Sequence, residues 1–332
     1  MWSDSRKWRV LGRMKFLHAI LFLPLFLRAQ TPVGAHGTIG APAGAKVVSR
    51  LEITQPGLYE NLIIDGNFAS GNLVKITTDN VTVRNCEIRH SSGNGIGVFG
   101  TKIVIENCRI HHLLNGTFED QQDAHGISGR WGDVAIRNCD ISYPSGDCIQ
   151  FDPDRKSNGK VVVENCTLWT GPLTADLAGF KAGQRPGENA LDTKVKPDGP
   201  RCELIIRNCH MHGWNQPAQI DNVAALNLKE NVDAEVSRCV FQNNEIAIRA
   251  RGPGGRGGAH VVASDCAIYD SQTGVRAEDK IEVLKLTNLG FSGDIARRVY
   301  FVNGKAESGF ENTGEHDAPS ADELLKKGFP AR

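Results

Sequence analysis

The chain has 332 residues, with 38 basic and 38 acidic side chains, so its formal net charge is zero. That balance excludes a global field drawing the protein toward nucleic acid or an acidic membrane surface. Glycine is abundant at 36 residues and helix-favouring runs are scarce, so the length points to one elongated domain, not a helical bundle.

In chain order, the first feature is an apolar run, FLHAILFLPLFL (16–27), with Lys15 before it and Arg28, Ala29 and Gln30 after it. It is shorter than the ~20 residues a membrane span needs. A basic flank, a short apolar core and a small residue beyond predict a secretory signal over residues 1–30, with Met14 as an alternative start. The mature chain is therefore expected to be secreted or periplasmic and free of the membrane. A first coil is expected from about residue 47, through LYENLIIDG (58–66) and LVKIT (73–77).

A motif of the form V-x-V-x-N-C-x-I then recurs. The copies are VTVRNCEI (81–88), IVIENCRI (103–110), VAIRNCDI (134–141), VVVENCTL (161–168) and LIIRNCHM (204–211), followed by the weaker AEVSRCVF (234–241) and VVASDCAI (261–268). Segments this self-similar stack side by side. The shortest spacing, Cys86 to Cys108, is 22 residues, and longer spacings add polar, Gly- or Pro-bearing stretches, as expected of a fixed coil with variable loops. Within a copy the apolar residues alternate as in a half-buried strand, and the alternation slips at Asn. A left-handed Asn there bends the strand, and stacked Asn side chains can hydrogen-bond along the axis. Seven of nine cysteines (86, 108, 139, 166, 209, 239 and 266) share one inward position, so they are expected to be small buried hydrophobes, not disulfides.

A third short strand precedes each pair: GIGVF (95–99), GISGR (126–130), CIQFD (148–152), ALDTK (190–194), ALNLK (225–229), AIRAR (247–251) and GVRAE (274–278). Three strands per coil, all in one direction, predict an all-β parallel β-helix over residues 47–303. A leucine-rich repeat has a similar period but needs Leu-rich spacing and a helical segment that these units lack. Residues 304–332 are expected to form a cap or tail, with ADELLKK (321–327) as a short helix.

This coil, with its Asn corners and secretion signal, resembles the right-handed parallel β-helix superfamily of pectate-lyase-like and related polysaccharide-active proteins. The resemblance implies a polysaccharide partner, but the fold hosts lyases, hydrolases, epimerases and non-catalytic adhesins.

The outward positions of the third strands give one column, Gly97, Ser128, Gln150, Asp192, Asn227, Arg249 and Arg276. Two residues on lies a second, Phe99, Arg130, Asp152, Lys194, Lys229, Arg251 and Glu278. Loops 112–123 and 170–188 flank the polar middle of this face and make it a groove for an extended ligand. Cleaving a uronate chain by β-elimination needs a neutralised carboxylate and a base. Lys194, beside Lys229 and near Arg251, is the expected base, and Arg249 the neutralising cation. Asp152, Asp192 and Glu188 are the expected calcium ligands. Gln150, Asn227, Lys229, Arg251, Arg276 and His125 complete the expected substrate-binding set. In related lyases this face carries calcium-binding acids and a Lys or Arg base, and ENALDTK (188–194) is similar in kind.

HGIS (125–128) and GDCI (146–149) resemble short motifs of polygalacturonase-type hydrolases of the same fold, in reverse order and without a following R-I-K segment. His125 and Asp147 at these strand starts fit either mechanism. The first expectation is an exported lyase on acidic polysaccharide, calcium-assisted and monomeric, with no nucleic-acid partner. A hydrolase of the same fold and a non-catalytic carbohydrate-binding protein are the alternatives. His210 and His212 are expected as exposed histidines, and RGPGGRGG (251–258) as a turn.

Overall fold

The computed structural model describes residues 31–152, 159–195, 199–215, 221, 223–254 and 257–330. The secretory segment expected over residues 1–30 lies outside the described residues.

Each repeat folds as its alternation predicts. In the strand Val81–Arg84, Val81 and Val83 are buried while Thr82 and Arg84 are partly open to solvent. Asn85 then takes a left-handed backbone (φ 51°), and the strand Glu87–Ser91 leaves at an angle with Ile88 buried. The same corner recurs at Asn107, Asn138, Asn165 and Asn208, and in the weaker copies at Arg238 and Asp265. Left-handed backbone costs an ordinary side chain about 1–2 kcal/mol, and Asn tolerates it better than most. The corner side chains bond from coil to coil: Asn107 Nδ2 donates to Asn85 Oδ1 at 3.2 Å, Asn138 to Asn107 at 2.8 Å, and Asn208 to Asn165 at 2.7 Å.

Among the described residues the strands form three parallel sheets of eleven, ten and ten strands. The first runs from Lys46–Val48 to His316–Asp317, the second from Leu51–Ile53 to Arg297–Phe301, and the third from Gly57–Glu60 to Phe310–Thr313. Every strand pairs with its counterpart one coil further on, which defines a parallel β-helix. The sheets thus continue past residue 303, where the sequence reading ended the coil.

One core fills the axis with stacked Val and Ile side chains. A fully buried Val or Ile contributes about 1.5–3 kcal/mol. All nine cysteines are buried and free, and each ladder thiol faces the carbonyl two residues earlier, as Cys108 does Glu106 at 3.3 Å.

Two features close the solenoid. The helix Ala321–Lys327 sets Leu324 against Val240, Ala267 and Tyr269, with Val33 and Phe329 beside it. Residues 31–45 form a strap that carries no repeat motif and had no counterpart in the sequence reading. It runs back along the Asn corners: Asn208 Nδ2 donates to Pro32 O (2.8 Å), His36 N to Asn138 Oδ1 (2.9 Å), and Gly40 N to Asn107 O (2.9 Å). Gly328 packs so closely on Thr31 that a Cβ would stand 2.0 Å from its carbonyl oxygen.

Candidate active site

The second sheet holds the predicted column in register. Ser128 pairs with Gln150, Gln150 with Asp192, Asp192 with Asn227, Asn227 with Arg249, and Arg249 with Arg276. The flanking loops join into one lobe. Leu114, Leu173 and Phe180 form a small buried cluster, and Gly187 N donates to Gln121 Oε1 at 2.9 Å. The middle of the column is closed over, not open: Gln150 and Asp192 are each 4% exposed and Asn227 is 7% exposed.

His125, at the start of the strand Ile127–Arg130, is buried beside Gln150, with the Gln150 amide 3.0 Å from Nε2. The Asp147 backbone N–H donates to His125 Nδ1 at 2.9 Å. The Asp147 carboxyl is fully buried. Its Oδ1 accepts from Asn189 Nδ2 at 2.8 Å, while Oδ2 has no hydrogen-bond partner and lies 3.5 Å from Nδ1. Asp123, on the lobe, is largely exposed and places Oδ2 3.8 Å from His125 Nε2.

Burial pushes the Asp147 carboxyl well above the usual carboxylate range, and the charges of Asp192, Glu188 and Asp123 push the same way. Glu188, half-exposed at the end of the lobe, is raised by burial and then by Asp123 and Asp192, against the pull of Lys194 and Lys229. Asp192 is raised by burial although Lys229 Nζ sits 3.0 Å from its Oδ1. Burial lowers the His125 pKa and outweighs Asp123 and Asp152, which raise it, while Lys194 adds to the lowering. Several titratable groups whose environments shift their protonation, gathered at the edge of one lobe, form a candidate site for acid–base chemistry.

Other expected roles are not met. Arg249 is the expected neutralising cation, but it is engaged bidentately by Glu278, at 2.9 Å from Nε to Oε1 and 3.0 Å from Nη2 to Oε2. Arg276 and Arg251 turn to the same carboxylate, Arg251 at 3.5 Å and also to Asp279 at 3.1 Å. Burial raises the Glu278 pKa, but the hydrogen bonds from Arg249 and Arg276 outweigh it and the net shift is downward. Lys229 is paired to Asp192, so its charge does not stand uncompensated beside Lys194. Lys194 itself is half-exposed just past the strand Asn189–Thr193, its carbonyl accepting from Trp131 Nε1 at 2.7 Å. Asp152, Asp192 and Glu188 do not converge. Among the described residues no three His, Cys, Asp or Glu side chains are grouped to hold a metal. Asp192 is buried on Lys229, whereas Asp152 is exposed at the end of its strand. The calcium set therefore does not fit. The sequence reading placed Glu278 in the second column and residue 123 at the end of a flanking loop, but gave neither a role.

On the first sheet, His90, His112, Tyr143, Trp169, His212 and His210 form a chain of ring contacts across successive coils. His210 and His212, expected to be exposed, are half-buried, and burial takes them down to about 3 and about 4.

Residues 72–212 match the family model described as the right handed beta helix region. Together with the three parallel sheets, this gives the described chain the fold of a right-handed parallel β-helix. It is similar in structure to an alginate lyase from Paenibacillus sp. str. FPU-7 (13% identity, 82% of this chain and 98% of that one, TM-score 0.47). It is similar also to pectate lyase Pel9A (16%, 87% and 72%, TM-score 0.49). A third is the catalytic domain of a GH87 alpha-1,3-glucanase (13%, 78% and 49%, TM-score 0.35). No curated protein matches the chain in sequence. Among the described residues no helix is long and apolar enough to cross a membrane.

Proposed function

We propose that the protein is an exported enzyme that cleaves polysaccharide chains at the carboxylate cluster around His125, by hydrolysis of a glycosidic bond. One observation carries this reading. Glu188 is half-exposed and raised by burial and then by its acidic neighbours, Asp123 first, while Asp123 itself is largely exposed beside His125. Hydrolysis needs one carboxyl that keeps its proton and a second that is ionised. Glu188 serves as the acid that protonates the leaving oxygen, and Asp123 as the carboxylate that activates water. The arginines that would neutralise a uronate carboxylate are bound to Glu278, which weighs against β-elimination. A second reading keeps β-elimination, on the observation that Lys194 is half-exposed within electrostatic reach of Glu188 and His125.

The test is an assay on pectate, alginate and a neutral glucan that reads new reducing ends and unsaturated-product absorbance separately. Reducing ends without the absorbance, lowered about 10²–10⁴-fold by Glu188→Gln, are expected. The absorbance would select the second reading, to be checked with Lys194→Ala and with chelator. No cleavage of any glycan would sink both.

A further inference from the structure

The His125 ring is gripped on three sides. Its Nδ1 accepts the Asp147 backbone N–H at 2.9 Å. The Gln150 amide lies 3.0 Å from Nε2. Gly146 packs against the ring so closely that a Cβ would stand 2.7 Å from Nδ1 and 2.8 Å from Cε1. The His125 backbone is tied as well, its N–H donating to Asn94 Oδ1 at 2.9 Å.

A ring nitrogen that accepts a backbone N–H carries no proton, so the neutral ring carries its proton on Nε2. A doubly protonated ring would set Nδ1–H against the Asp147 N–H. The Gln150 atom 3.0 Å from Nε2 is the amide nitrogen; turned end for end, since the two ends of a carboxamide are equal in shape, Gln150 presents its oxygen to Nε2–H. That bond uses the only proton Nε2 carries, and the exposed Asp123 carboxylate lies beside the ring, 3.8 Å from Nε2 and beyond hydrogen-bond distance. The remaining charged groups that act on His125 are Asp152 and Lys194, with Asp147 in contact at Nδ1.

We propose that the Gly146–Asp147 backbone locks His125 in the Nε2–H tautomer, bonded to Gln150, and that the ring so fixed is the positioning residue for Asp123 by contact, not by a hydrogen bond. The inference rests on the hydrolase reading for Asp123's role, but the tautomer itself needs no substrate to test. Gly146 is the enabling residue, because only a residue without Cβ lets the ring sit on this backbone.

The experiment uses the full chain labelled with ¹⁵N-histidine. Long-range ¹⁵N–¹H correlations are recorded from pH 8 to pH 5, and the His125 signal is assigned by its loss in His125→Gln. An Nε2–H pattern that persists to pH 5 is expected. An Nδ1–H pattern, or double protonation at the ordinary histidine pH, overturns the lock. In Gly146→Ala the pattern is expected to change while the melting temperature shows the coil still folded. If that variant does not fold, the parent spectrum alone decides. On a cleaved glycan, His125→Ala should lower kcat about a hundredfold with little change in KM, the scale of a misplaced reacting group. His125→Gln should restore part of the loss by filling much of the same space beside Asp123. An unchanged kcat in His125→Ala overturns the positioning role. Absence of any cleavage by the parent protein refutes the hydrolase reading alone and leaves the tautomer result standing.

Discussion

Asp147 shows what burying a single carboxyl does to stability. Its carboxyl has full burial, one hydrogen bond from Asn189 and an unbonded Oδ2. Its folded-state pKa is raised, chiefly by burial. A raised carboxylate pKa gives stability that is fully present below the unfolded value of about 3.9 and is lost as pH rises through the folded value. Asp147→Asn keeps the acceptor for Asn189 and cannot ionise. The variant should therefore be more stable than the parent at pH 8, where the parent's buried carboxyl is disfavoured in its charged form. The gap should close toward pH 4. Urea denaturation at both values measures it, and an equal gap at both would show that Asp147 is not the group responsible. The sequence marked Asp147 through GDCI, and His125 through HGIS. Their depth was not legible, because it is set by a lobe assembled from residues 115–123 and 170–187, and nothing periodic in those stretches says how they pack.

At the scale of the repeat, the corner is the element that keeps register. Asn138 holds φ 49°, donates to Asn107 Oδ1 and His36 O, and accepts from His36 N. Asn138→Ala loses three hydrogen bonds and puts an ordinary side chain in the left-handed region. About 4–5 kcal/mol of destabilisation is expected, from ~1 kcal/mol for each of the three bonds and 1–2 kcal/mol of strain. Asn138→Gly should recover about 1 kcal/mol of that, because glycine adopts the corner freely. Equal losses for the two variants in urea titrations would remove strain from the account. This regularity is why the fold was legible: the Cys and Asn positions fix where each strand starts, and the column from Gln150 to Arg276 follows. Side-chain partners were not legible. Arg249, Arg251 and Arg276 all lie within a coil of Glu278, and the sequence does not say that they share it. Nor does it say that Lys229 settles on Asp192 instead of standing beside Lys194.

For the whole molecule, a stacked solenoid behaves as a row of units, each stabilised by its two neighbours, and such a row can lose units from its ends. The strap changes that accounting. Residues 32–40 bond to coils built around Asn107, Asn138 and Asn208, while Thr31 is packed on Gly328 beyond the last coil. The beginning of the described chain is thus secured to its middle and its end. Detaching any of these coils disturbs contacts with the others, so the intact protein should melt in a single transition whose calorimetric and van't Hoff enthalpies agree. A chain lacking residues 31–40 should melt earlier, over a wider range, with the van't Hoff value falling below the calorimetric one. A truncated chain that melts as sharply as the parent would mean the strap is only packing. Acting this way, the strap makes the thirty-one short strands of the described residues unfold as one cooperative body and not as a fraying stack.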